Sequence, residues 1–488
     1  MAQVFWREKL ASKKEDSLLP TQCNQEFLEF HPLVRRAVRG QFDGGAITTD
    51  AGGLLLREVE KRTGIIGQFA ACFRDARDPA RIEHTVRELV AQRVYGLALG
   101  YEDLNDHEEL RRDPLLAVLV EKPDPRGETR ARERDQGQAL AGKSTLNRLE
   151  LSEAEVSEEE RYKKIGLDFE AVDRMLVEVF LQAYGEPPKQ IILDLDSTDD
   201  PLHGNQEGRF FHGYYGHYCY LPLYIFCGEM LLCARLRVAN IDGAAGSVEE
   251  LARLVKQIRQ AWPEVRIIVR GDSGFCREEL MAWCETQGVD YVLGLAKNPR
   301  LTAEIAAELA QAAEQYHRTG QAARIFKEFS YQTHESWSRA RRVVAKAEHL
   351  DKGANPRFVV TSLPSQEWAA RALYEDLYCA RGEMENRIKE HLMLFSDRTS
   401  TAFLRSNQIR LYFSSVAYLL MQALRRLGLQ GTELAKAQCT TLRLKLLKIG
   451  ALIRITVRKV WVSLAGGYPY QELFRQVYAQ LQAVPLRC

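Results

Sequence analysis

Three carboxylates stand in contexts that suit divalent-cation chemistry. Asp196 closes the run Gln190-Ile-Ile-Leu-Asp-Leu-Asp196, Asp272 closes Val265-Arg-Ile-Ile-Val-Arg-Gly-Asp272, and Glu385 lies in an amphipathic helical pattern. Each Asp follows a short apolar run rich in Ile and Val, which reads as a buried strand. Both carboxylates are therefore expected where a strand emerges from a sheet, the usual place for chemistry in α/β folds. An acidic triad of this kind suits two-metal phosphoryl transfer. Two Mg²⁺ ions about 4 Å apart clamp the attacking and leaving oxygens of an in-line displacement, and Mg²⁺ prefers a few carboxylates plus water and substrate oxygens. Asp194 shares a strand face with Asp196. Asp196, nearer the strand end, is the expected ligand, and Asp194 a supporting carboxylate.

These residues need a sheet and a helix to hold them. From Gln190 the pattern runs strand, strand, strand, helix, strand, helix, strand: 191–196, 214–226, 231–239, a helix over 247–262, 265–271, a helix over 277–287, and 291–296. Hairpins followed by βαβ crossovers indicate a mixed sheet flanked by helices. After a helix near 301–316, alternating segments at 323–331, 338–349 and 357–362 read as strands of a separate β-rich insertion. On a helical wheel over 373–394, Leu377, Met384, Ile388 and Phe395 form a core stripe, while Tyr378, Arg381, Glu385 and Lys389 share a second face roughly 90° away. A plain surface helix with Arg381–Glu385 and Glu385–Lys389 pairs would show the same spacing.

The motif Tyr378-Cys-Ala-Arg381-Gly-Glu-Met-Glu385 resembles the Tyr-x-x-Arg-x-x-x-Glu signature of DDE transposases from bacterial insertion sequences, in the cut-and-paste branch with a β-strand insertion before the catalytic Glu. Asp196-Ser-Thr198 resembles the Asp-x-Thr that ends the first strand in that family, and Arg270-Gly-Asp272-Ser-Gly-Phe the region of its second Asp. The resemblance covers residues 190–425. It implies a ribonuclease-H-like core, catalysis and metal binding by Asp196, Asp272 and Glu385, two Mg²⁺ ions with Mn²⁺ able to substitute, water-driven nicking of element ends, and attack of the freed 3′-OH on target DNA. The implied partners are double-stranded DNA, as element ends and as target, and a second copy of the chain in a homodimer. Tyr378, Arg381 and Lys389 are the implied DNA contacts on the helix; Leu392 stands where the family has Lys, and Lys389 is one helical turn closer. The resemblance offers Trp337, inside the insertion, a base-stacking role, while a core or surface tryptophan is the plainer reading.

The expected organisation is a helical DNA-binding region over 1–150, the first part of the core over 151–300, the insertion over 301–369, the second part over 370–425, and a basic helical region over 426–488. Net charge is only +1, yet residues 401–460 hold eleven Lys or Arg against one acid, Glu433. Such a block favours a polyanion. Arg209, in a Gly-, His- and Tyr-rich segment after the first strand, is a further expected phosphate contact. His203, His212 and His217 lack the spacing of a zinc site, and none of the ten cysteines forms a Cys-x-x-Cys pair. No signal peptide or bilayer-length apolar segment is present, so a cytoplasmic protein is expected.

Gly137-Gln-Ala-Leu-Ala-Gly142-Lys143-Ser144 matches the Walker A pattern by letter, but a charged segment precedes it where a buried strand is required. A short helix capped by Ser144 or Thr145 is the expected structure there, presenting Arg148 to DNA. The rival to catalysis is a DNA-binding protein that retains the fold and cuts nothing.

Overall fold

The computed structural model describes residues 27–156, 159 and 163–486. Residues 1–26 of the expected N-terminal DNA-binding region lie outside the described residues. The described residues 27–47 belong to one unit, which carries an exposed antiparallel hairpin, Leu28–Leu33 with Arg36–Gly40. Residues 48–488 form the second unit.

The second unit is built on a nine-stranded mixed sheet. Its first five strands are β1 (Gln190–Ser197), β2 (Leu223–Cys227), β3 (Met230–Arg235), β4 (Arg266–Gly271) and β5 (Asp290–Leu295). They lie in the order 3-2-1-4-5. β2 is antiparallel to both β1 and β3, whereas β4 is parallel to both β1 and β5. That order and polarity define a ribonuclease-H-like core, as the sequence led us to expect. β4 is central because Ile267, Ile268 and Val269 are apolar on both faces and fully buried. A strand covered on both sides needs such a run.

The two faces carry different helices. Ile267 and Val269 pack with Leu251, Leu254 and Ile258 of α1 (Ser247–Ala261) and with Leu280, Met281 and Cys284 of α2 (Glu278–Gln287). Ile268 points the other way, to Leu373, Tyr374 and Leu377. One strand thus anchors the segment that leads into the Glu385 helix.

The insertion strands are β6 (Ala323–Tyr331), β7 (Arg341–Leu350) and β8 (Arg357–Thr361). They do not make a sheet of their own. β8 pairs antiparallel with β5, β7 with β8 and β6 with β7, so the core sheet continues through them. The alternating pattern predicted the strands but not the edge they join, because β5 offers a free edge that only the tertiary fold reveals.

The predicted helix over 373–394 is interrupted. A π-helical turn (Leu373–Tyr378) and a 3₁₀ turn (Cys379–Arg381) precede the regular α3 (Gly382–Leu392). Leu377, Met384 and Ile388 are buried as the wheel requires. Phe395 lies past the helix end with φ of 65°, and reaches the core as a loop residue.

Helices from both ends of the unit share one core. The long α4 (Leu404–Gly428) is buried nearly all round and packs with Val86–Leu99, Gly53–Thr63 and Ile65–Ala71. Thr85 and Glu88 form a reciprocal capping box at the start of the Val86–Leu99 helix, which satisfies two of its free N–H groups. The region after 426 is only partly helical: Ala451–Ile455 and Val460–Leu464 form a hairpin before the last helix, Gln471–Ala483.

Candidate active site

β1 and β4 are parallel and in register, with Arg270 beside Asp194 and Gly271 beside Leu195. One step further along each chain brings Asp196 and Asp272 side by side where the two strands end. Asp196 Oδ1 accepts from the Ser197 N–H at 2.9 Å. Asp272 caps the 3₁₀ turn Ser273–Phe275, its Oδ1 accepting from Gly274 N–H at 2.8 Å. Glu385 projects from the first turn of α3 and is half exposed.

Arg381 ties the third carboxylate to the first. Its guanidinium lies 3.7 Å from Asp196 Oδ2 and 3.4 Å from Glu385 Oε1. Burial pushes the Asp196 carboxyl up to about 6; Arg381 opposes that rise, and the negative charges of Asp272 and Glu385 add to it. The three acids therefore share one electrostatic environment, with Arg381 as counter-charge. Among the described residues no group of three acidic, His or Cys side chains stands close enough to hold a metal ion as placed. The donor chemistry nonetheless suits a hard cation: the oxygens are carboxylates, and the negative charges of Asp272 and Glu385 add to the rise that burial imposes on Asp196, a charge a divalent ion would neutralise.

Asp194 has a different occupation. It is buried, and Arg270 holds both its oxygens, donating from Nε to Oδ1 at 2.5 Å and from Nη2 to Oδ2 at 2.7 Å. Tyr378 sits over Gly294, where an added Cβ would lie 2.6 Å from the phenol oxygen and 2.8 Å from Ser273 N. Only glycine allows that approach beside Asp272. Lys389 and Leu392 are both exposed on α3.

Sequence reasoning missed Arg237. This buried arginine has no carboxylate in a salt bridge with it among the described residues, and it donates to Ser197 Oγ at 2.8 Å, Leu221 O at 2.9 Å, Gly243 O at 3.1 Å and also Ala245 O. It braces the chain directly after Asp196. Nothing in the local sequence signals that role, because its partners are mostly backbone carbonyls from distant loops.

Other expected residues fall elsewhere. Trp337 is 6% exposed and packs edge-on against Tyr331, with Arg341 over its ring. In this structure it is a buried residue of the loop between β6 and β7, held by Tyr331 and Arg341. Arg209 lies half-buried after the first strand, its guanidinium 4.0 Å from the centre of the Tyr218 ring. His217 pairs with Asp199 at 2.8 Å. Lys143 has no P-loop around it: its amide donates to Glu108 at 2.8 Å and its Nζ to Asn105 at 3.1 Å. The helix Lys143–Glu150 starts at Gly142 without a side-chain cap, so Ser144 and Thr145 lie inside it.

The basic block also resolves differently. Arg425 is 2% exposed and makes a bidentate pair with Glu390. Arg405, Arg410 and Arg443 bond to Leu167 O, Glu150 and Met393 O, and Lys448 pairs with Asp50. These cations brace the interior. Arg454, Arg458 and Lys459, on the hairpin after residue 450, are exposed.

The family model "Transposase DDE domain group 1" matches residues 30–486, and the chain belongs to that family. It is thus a DDE transposase, of a class that cuts and joins DNA. No curated protein matches the sequence. Among solved structures, a cryo-EM structure of the piggyBac transposase synaptic complex with hairpin DNA aligns at 12% identity with a TM-score of 0.38, over 82% of this chain and 80% of that one.

Proposed function

We propose that this transposase cuts the ends of a bacterial insertion sequence and joins them to target DNA by two-metal phosphoryl transfer, with Asp196, Asp272 and Glu385 as the catalytic carboxylates. The observation that carries the reading is the meeting of Asp196 and Asp272 at adjacent strand ends, with Glu385 linked to Asp196 through Arg381. The three carboxylates would hold the two ions. Mg²⁺, or Mn²⁺ in its place, would supply Lewis-acid polarisation of the phosphoryl oxygens and a water of lowered pKa.

The chain's own residues do the rest. Arg381, which balances Asp196 and Glu385 in this structure, is placed to turn to a DNA phosphate, and Lys389 lies one helical turn beyond Glu385 on the same helix. Tyr378, fixed over Gly294, borders Asp272 and orients the strand. A homodimer would bring two element ends together, residues 1–150 and the C-terminal hairpin would grip double-stranded DNA, and the reaction needs no nucleotide.

The test uses the full chain with a plasmid carrying its gene and flanking DNA, Mn²⁺ or Mg²⁺, and no ATP. Excision and strand transfer are expected, and Asp196→Asn, Asp272→Asn and Glu385→Gln should each abolish cutting while DNA binding persists. A need for nucleotide hydrolysis, or cutting by any of the three variants, overturns the proposal.

A further inference from the structure

The segment 203–218 leaves the end of β1 and returns as a small hairpin, Phe210–His212 with His217–Tyr220. Four of its rings lie in solvent: Phe210 is 40% exposed, Phe211 57%, Tyr214 86% and Tyr218 44%. Phe210 and Phe211 are adjacent, so their side chains leave opposite faces of the strand and both faces are uncovered. Phe211 and Tyr218 are direct cross-strand partners, meeting edge to face with centroids 5.6 Å apart. The Arg209 guanidinium carbon lies over the Tyr218 ring, 4.0 Å from its centre. Isolated exposed apolar residues are ordinary, but a contiguous exposed cluster marks an interaction surface.

Three observations identify the occupant. The segment contains no Leu, Ile, Val or Met, so its apolar surface is wholly aromatic. Its one acid, Glu207, accepts from the Leu404 N–H at 3.0 Å, and Arg209 is its one permanent cation, while His217 faces Asp199. The hairpin is also fastened just beyond the active-site strand, since His217 pairs with Asp199, three residues after Asp196. Aromatic faces interleaved with cations form the surface that unpaired nucleic acid uses, because every base offers a π-face and every linkage a negative charge.

We propose that Phe211, Tyr218 and Arg209 form a stacking platform for unpaired bases of the DNA strand beside the catalytic carboxylates, an inference that rests on the transposase reading above. A base within duplex is already stacked on both sides. The platform therefore selects frayed or single-stranded DNA at the cut end, and holds it after the strands part.

The test measures binding of full-length protein to a fluorescent short oligothymidine and, separately, to a duplex of mixed sequence, by anisotropy without divalent metal. Phe211→Ala and Tyr218→Ala should each weaken oligothymidine binding by about tenfold, and should change duplex binding by less than about threefold. Tyr218→Phe, which keeps the ring, should bind as the parent does. Unchanged thermal midpoints confirm that these exposed positions were not needed for folding. Equal oligothymidine affinity in parent and alanine variants overturns the platform, as does a shift from dimer to monomer on the same substitutions, which would assign the face to a second copy of the chain. Asp196→Asn separates this proposal from the proposed function. It should leave oligothymidine binding intact, so a platform failure and a cutting failure read differently.

Discussion

Arg270 and Asp194 lie side by side on neighbouring parallel strands, and the guanidinium that grips both carboxylate oxygens also donates from Nη1 to Leu377 O at 2.5 Å. Leu377 directly precedes Tyr378, so one buried pair couples β1, β4 and the turn that delivers Arg381 and Glu385. Removing one partner of a buried ion pair leaves the other charge uncompensated, at a cost of roughly 3–5 kcal/mol.

The two aspartates of β1 should therefore separate by experiment. Asp194→Asn should lower stability in denaturant titration by a few kcal/mol, on the scale of about 3–5 for a broken buried pair. Asp196→Asn should leave stability unchanged or raise it, because folding disfavours the ionised form of a carboxyl whose pKa rises to about 6. Cutting should be lost with Asp196→Asn. The opposite pattern, a destabilised Asp196→Asn and a tolerated Asp194→Asn, would reverse the two roles.

Divalent metal should stabilise the protein through the same site. A ligand that binds only the folded state raises the melting temperature as its occupancy rises. Ca²⁺, which supports binding by carboxylates, should raise the thermal midpoint of the parent and fail to do so for Asp196→Asn or Asp272→Asn. An equal rise in all three would place the metal elsewhere.

The strand pattern was legible because β1, β4 and β5 are buried on both faces and must be written as apolar runs; their parallel order followed from the helices between them. The meeting of Asp196 and Asp272 was legible for the same reason, since strand ends place side chains predictably, whereas Glu385 sits on a helix and was read from helical spacing alone. What local sequence could not carry was pairing between distant segments. The attachment of β8 to β5, the burial of Arg425 against Glu390 and the burial of Trp337 depend on which surfaces meet, and the charge or ring of a residue does not disclose it. The basic block over 401–460 shows the limit most clearly: its charge is real, but Arg425, Arg405 and Arg443 spend it inside the protein.

Trp337 should behave as a core residue. Trp337→Ala should cost about 3–5 kcal/mol, as other large aromatic truncations do, measured by denaturant unfolding. Trp337→Phe should recover most of that stability together with DNA cutting. A stable Trp337→Ala that fails only in cutting would show that the ring leaves the core to meet DNA.

Acid should destabilise this protein well above the usual carboxylate range. His84, His107 and His391 are buried, and burial holds each down to about 3 from 6.5; nearby Lys122 and Arg130 add to the effect at His84 and Arg93 at His107. Their folded pKa values are depressed, so the neutral forms cost nothing above pH 6.5, whereas below it the unfolded chain takes up protons that the folded chain refuses. Stability should fall progressively as pH drops from about 6.5 towards 3. His391→Gln should flatten that fall by removing one of the three proton sites. An unchanged pH profile in the variant would mean that His391 titrates freely in the native state.

The exposed share of the C-terminal charge should govern the salt dependence of duplex binding. Each neutralised phosphate contributes a slope of about −0.9 in a plot of log affinity against log salt. Arg454, Arg458 and Lys459 are exposed on the hairpin formed by Ala451–Ile455 and Val460–Leu464. Replacing all three with Gln should weaken duplex binding at low salt and make the slope shallower by about 0.9 for each phosphate no longer neutralised, with no change in thermal midpoint. Arg425→Gln is the contrast. It should unfold the protein at lower denaturant, by roughly 3–5 kcal/mol for a broken buried pair, because Glu390 would be left buried without its partner. A triple variant with an unchanged slope would return the hairpin to ordinary surface and leave DNA binding to residues nearer the carboxylates.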